Sequence, residues 1–194
     1  MKIKLLTIFL LITSVGFTQN LTIEGEKANE LISNSSFVRM NKNSSIPTFI
    51  KFQKGKEPSL EIALNLIIKK SKNKITLEEI SRMEDQIGFT HIKYSQKINS
   101  IKVEYSSLTA HLKDEKVVML SGNLTSEIPS NSISISENSA LQFALNKVGA
   151  ASYKWDNPIE EEFIKSESGD VNATFFPKGE IVYILSNERL RLAY

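Results

Sequence analysis

Between Gly88 and Leu124 polar and apolar residues alternate. Ile92, Tyr94, Gln96 and Ile98 fall on one side, and His91, Lys93, Ser95 and Lys97 on the other. A two-residue period marks a strand with one buried face and one wet face. Asn99-Ser100 supplies turn chemistry. A second strand places Ile101, Val103 and Tyr105 on one face. The apolar positions then resume at Leu108, Ala110 and Leu112, one residue out of phase, which predicts a β-bulge near Ser106-Ser107. Lys113-Asp114-Glu115-Lys116 forms a charged turn, and Val117 to Leu120 a third strand closed by Gly122-Asn123. The pattern is that of an antiparallel meander.

Other periods flank it. Residues 19–45 are polar and read as a flexible lead-in, with one helical turn around Glu26 to Leu31. Ile46 to Phe52 reads as a strand. Leu60, Ala63, Leu64 and Ile67 recur at helical spacing, predicting a helix from about Pro58 to Lys70. Ile75 to Met83 leads into the meander. Residues 125–131, with Pro129, read as a linker. A second helix is expected over Glu137 to Val148, with an apolar face of Ala140, Leu141, Ala144, Leu145 and Val148. Ser134 or Ser136 can cap it, Ser134 with Glu137 fits a capping box, and Gly149 is placed to stop it. An acidic connection (Asp156 to Glu162) precedes a strand at Val171 to Phe176. A turn at Pro177 to Glu180 follows, then return strands at Ile181 to Leu185 and Leu190 to Tyr194.

Composition narrows the classes. The 194 residues allow one large domain or two small ones, and 41% apolar content supports a core. With no cysteine, disulfide scaffolds and thiolate metal sites are excluded. Lys2 and Lys4 followed by apolar Leu5 to Phe17 form a signal peptide over residues 1–18, with Gly16 and Thr18 at the cleavage positions. Export is therefore expected, with no stable membrane association afterwards. Without Lys2 and Lys4, the mature chain balances 22 basic against 22 acidic residues. No basic stripe with interleaved aromatics marks a nucleic-acid partner.

Gly88-Phe89-Thr90-His91, the hairpin with Val103, His111 and Gly122-Asn123-Leu124 together resemble the FTP domain. That is the fungalysin/thermolysin propeptide module found ahead of secreted zinc metallopeptidases. The likeness spans residues 46–124. Residues 132–194 resemble a PepSY domain through Ala140-Leu141, Ala144-Leu145, Gly149-Ala150, Tyr153-Lys154-Trp155, Phe176-Pro177-Lys178-Gly179-Glu180 and Leu190-Arg191-Leu192-Ala193-Tyr194. In such precursors the last strand continues past the Leu-Ala-Tyr where this chain stops. The resemblance implies an α+β protein of two cystatin-like units, each a helix packed on a curled antiparallel sheet. It implies a pro-region that inhibits a cognate thermolysin-like peptidase domain and helps it fold. A free-standing inhibitor acting in trans and an envelope binding module are the alternatives. Gly88, Thr90, His91, His111, Gly122, Asn123, Trp155 and Gly179 are the signature positions, structural or interfacial.

Catalytic machinery is not legible. A zincin needs two histidines one helical turn apart with a glutamate between them. The only two histidines, His91 and His111, both fall on predicted strands, where they could face each other across the hairpin. No Gly-x-Ser-x-Gly elbow occurs. Glu160-Glu161-Glu162 reads as a solvated acidic surface. Tyr153, Trp155, Phe175 and Phe176 read as core of the second unit. No cofactor is expected, and zinc is expected only in the peptidase domain.

Overall fold

The computed structural model describes residues 21–41, 44–71, 74–127, 129, 135–186 and 189–194. The expected signal peptide, Ser134 and part of the expected linker lie outside these residues.

The meander forms as its periodicity dictates. β5 (Phe89–Ile98) pairs antiparallel with β6 (Ile101–Lys113), which pairs with β7 (Lys116–Gly122). Both connections are two-residue turns with left-handed backbone, at Asn99-Ser100 and Asp114-Glu115. Positive φ at both central positions matches the twist of the flanking strands. Ile92, Tyr94, Gln96 and Ile98 all point inward. The bulge lies at Tyr105, a residue earlier than the pattern predicts. Tyr105 has φ 59° and is 87% exposed, so it leaves the apolar face on which alternation placed it. Inward residues resume at Ser106, Leu108, Ala110 and Leu112.

Two expectations for the N-terminal half need correction. The lead-in is built into the sheet: β1 (Leu21–Glu24) and β2 (Ser35–Met40) flank a short helix α1 (Gly25–Leu31). β1 pairs with β2, and β2 with β3 (Pro47–Phe52). Its polar composition hides a few inward residues, Ala28, Ile32 and Val38, that are almost fully buried. Ile75 to Met83 is no mere approach but a ten-residue strand, β4 (Ile75–Glu84), along β5. The helix α2 (Leu60–Ile68) begins two residues after Pro58, with the Ser59 hydroxyl accepting from Ile62 N–H. Its Ala63 and Ile67 are buried against the sheet.

The resulting order is β1-β2-β3-β7-β6-β5-β4. The core lies on one face of this sheet, sealed by α1 and α2.

The C-terminal part departs most from expectation. α3 (Glu137–Val148) forms where its pattern placed it, capped by Ser136 and ended by left-handed Gly149. The acidic connection is instead a 3-10 turn (Lys154–Asp156) leading into a helix, α4 (Pro158–Ser168). Asn157 caps α4, and Glu160 and Glu161 sit in its first turn, where acids complement the dipole. Val171 to Phe176 forms turns, not a strand. β8 (Val182–Ser186) and β9 (Arg189–Ala193) make a hairpin. The hairpin joins the main sheet through one parallel pairing, Val103 with Tyr183, giving nine strands in all.

A second helix-backed sheet is therefore not what the described residues form. A two-stranded hairpin cannot bury enough surface alone, and Tyr183 and Leu190 join the main core instead. α3 and α4 bury no residue. Tyr153, Trp155 and Phe176 form a partly exposed aromatic cluster outside that core. Tyr153 stacks on Trp155 at 4.4 Å, and Phe176 meets Trp155 edge-on at 5.8 Å.

This distribution of burial is testable by urea unfolding. Leu120→Ala, in the core, is expected to cost about 2–5 kcal/mol. Ile159→Ala, on the exposed side of α4, is expected to stay within about 0.5 kcal/mol of the parent. A comparable loss at both positions would show that the face of α4 is covered.

Candidate functional site

Two of the signature positions, His91 and His111, meet on the sheet face opposite α1 and α2. Registers align Lys51, Met119, His111, His91 and Met83 across five neighbouring strands. His91 and His111 are direct cross-strand partners, and their Nδ1 atoms lie 2.8 Å apart. His91 Nε2 lies 3.1 Å from Asp85 Oδ2, and His111 Nε2 lies 2.9 Å from Ser121 Oγ. Phe89 stacks nearly parallel to His91 at 6.3 Å.

Proton positions follow from this chain. The Asp85 carboxylate only accepts, so His91 Nε2 must donate. In the neutral pair, His91 Nδ1 accepts from His111 Nδ1–H, and His111 Nε2 accepts from the Ser121 hydroxyl. One added proton, on either ring, still leaves one donor and one acceptor between the two Nδ1 atoms and turns His111 Nε2–H into a donor to Ser121. A second proton would oppose two N–H groups and break the bond. Burial, then the neighbouring His91 charge, lower the His111 pKa. The Asp85 carboxyl is held below its usual range, chiefly by the Phe89 N–H, with His91 and the Ile87 N–H adding to it. The Asp85 side chain thereby ties the β4–β5 turn to the histidine pair.

The same geometry limits the chemistry. Tetrahedral zinc with two bonds of about 2.0–2.1 Å sets its nitrogens about 3.3 Å apart. Here the two nitrogens bond each other, and Asp85 occupies the opposite ring edge of His91. Among the described residues, no group of three or more His, Cys, Asp or Glu is arranged to hold a metal. The Ser121–His111 contact has the polarity of a nucleophile–base pair. Ser121, however, sits mid-sheet, paired with both Phe49 and Thr109, so its backbone belongs to the ladders on either side.

Gly88, Gly122 and Asn123 have structural tasks. Gly88 adopts φ +75° in the turn before β5. A Cβ on Gly122 would lie 2.4 Å from the Ser107 carbonyl oxygen and 2.9 Å from Leu108 Cα. The Asn123 side chain clamps the bulge: Nδ2 donates to the Tyr105 carbonyl at 2.6 Å, and Oδ1 accepts from Ser107 N–H at 3.0 Å. Thr90 pairs with Leu112 and Glu84, beside the histidines in sequence but on the opposite parity.

Trp155 and Gly179 belong to a separate place. Gly179 N–H donates to Glu137 Oε1 at 2.7 Å, beside an apolar groove of about 300 Å³ between α3, Phe176 to Gly179, and Tyr194. Trp155 does not line that groove itself. Its edge-on contact with Phe176 links it there. Sequence reasoning missed Asp85 and Ser121. Asp85 lies six residues before His91 in a turn, a spacing that carries no periodic signal.

One comparison bears on the meander alone. The family model described as Fungalysin/Thermolysin Propeptide Motif matches residues 76–124, which run from β4 to the residue after Asn123. This stretch is thus similar to a propeptide motif of fungalysin/thermolysin-type peptidases. No curated protein gives a significant match to the chain. Among the described residues, no helix is long and apolar enough to cross a membrane.

Two outcomes are expected. The folded-state pKa of His111 lies below its unfolded value of about 6.5. The unfolded chain therefore binds protons more readily, and this residue's contribution, present above pH 6.5, is lost as pH falls below it. Urea midpoints measured from pH 7 to pH 5 should fall more steeply for the parent than for His111→Asn. Parallel curves would contradict the assignment. Gly122→Ala should cost about 1–3 kcal/mol, because backbone must move to admit the methyl. An unchanged midpoint would show that β6 and β7 can part locally without loss.

Proposed function

We propose that this chain is the pro-region of an exported thermolysin-like zinc metallopeptidase, acting as intramolecular inhibitor and folding aid of the peptidase domain. The observation that carries this is the propeptide motif over residues 76–124, the segment that forms β4 to β7. The apolar Leu5 to Phe17 stretch behind Lys2 and Lys4 supports export. The PepSY resemblance of residues 132–194 supports the same reading.

Both tasks reduce to binding. A surface that binds the native peptidase and not its unfolded chain stabilises the native state by mass action. The same contact, placed over the cleft, excludes substrate. Covalent linkage raises effective concentration, so modest affinity suffices until the connection is cut. The histidine–aspartate–serine chain is then part of the scaffold, not a reaction centre.

Purified polypeptide 19–194, mixed with the mature thermolysin-like peptidase of the same organism, should slow casein cleavage and raise the yield of refolded peptidase. Alone, with zinc added, it should release no peptides from casein. Chelator-sensitive digestion by the isolated chain, or no effect on either peptidase measurement, would reject the proposal.

A further inference from the structure

The open face of the main sheet is uncovered, basic and aromatic. Arg39, Lys51 and Lys93 stand exposed on it, and among the described residues none of the three is in an ion pair. Register places them together: Lys51 pairs with Phe37 and Met119, Arg39 with Phe49, and Lys93 with Thr109. The Arg39 guanidinium lies 5.7 Å from the rings of both Phe37 and Phe49, which meet edge-on at 5.7 Å. Lys113 lies 5.2 Å from the Phe89 ring and donates to the Ile87 carbonyl. Arg39 and Lys113 are therefore held near rings instead of trailing in solvent. The acids on this side are Glu24, at the β1 edge beside Phe37, Glu78, which is taken up by Lys97 at 2.8 Å, and Asp85, already bonded to His91 and to the Phe89 and Ile87 amides. In a chain whose mature charges balance, this face has a surplus of cations.

We infer that this open face is the docking surface for the peptidase domain, and that it seats on an acidic patch of that domain. The inference rests on the pro-region reading and adds to it the face and the sign of the partner. Like charges juxtaposed across an interface reject wrong partners, and complementary ones steer encounter, so an uncompensated basic face selects an acidic one. The rings and Met83, which is 65% exposed, supply apolar contact among the cations. Enrichment in aromatic residues, Met and Arg is the composition of interface cores. On the opposite face, α1 and α2 already cover the strands around β1, β2 and β7 and bury the apolar core there.

The test uses polypeptide 19–194 and the mature peptidase, comparing the parent with Lys51→Glu/Lys93→Glu and with the control Lys147→Glu/Lys178→Glu. Circular dichroism and urea midpoints verify that each variant folds. The face variant is expected to inhibit at least about tenfold more weakly, with the control unchanged and the parent's inhibition weakening from 50 to 300 mM salt. Parent inhibition that survives the face reversal would overturn the inference while leaving the pro-region reading intact. No inhibition by the parent would overturn both. Binding to phosphatidylglycerol vesicles that equals or exceeds peptidase binding, and is lost in the face variant, would assign the face to an anionic membrane and overturn the inference.

Discussion

One buried amide organises the sheet. Gln96 is fully buried in β5, and its carbonyl oxygen accepts from the Ser106 hydroxyl and from Thr125 N–H, while its amide donates to the Thr125 carbonyl. It thereby joins β5, the bulge of β6 and the segment leaving β7. A buried amide is tolerated only when its polar atoms are satisfied, and these partners meet only if all three segments hold one register. Asn123 adds a second clamp on the same bulge, from Tyr105 to Ser107.

The bulge decides what lies on either side. Above it, β6 pairs with β7, whose last partner is Gly122 against Leu108. Below it, the same edge of the sheet is taken by β8, through Val103 and Tyr183. The extra residue at Tyr105 lets one strand serve two neighbours, consistent with the bend and twist that bulges introduce. The C-terminal hairpin is thus attached to the first core and does not found a second one. α3 and α4 stand outside that core, joined to their surroundings by the Trp155 cluster, the Glu137 bond to Gly179 and the Glu161 bond to Phe175 N–H.

Function follows from which face is finished. The inner face is saturated with apolar contact. The outer face holds its polar groups in place through Asp85, the histidine pair and Ser121, and among the described residues it leaves Arg39, Lys51 and Lys93 outside any ion pair. The motif matched over β4 to β7 is that of fungalysin/thermolysin propeptides.

Strict alternation in β5 and the phase slip in β6 were legible in the chain alone, because a two-residue period admits one buried face and a slip demands an extra residue. The two charged or polar turns, the α3 helix and its Gly149 stop were legible for equally local reasons. The strands within residues 21–40 were not, since a few buried positions in a polar stretch carry too little pattern. The acidic run hid a helix because first-turn glutamates read as a loop when no apolar face is buried to reveal the period. Only the tertiary structure set Asp85 and Ser121 at the two ends of the histidine pair, and only it placed the last hairpin on β6. Pairing of distant segments depends on which buried groups must satisfy one another, and that requirement exists only once the chain has closed on itself.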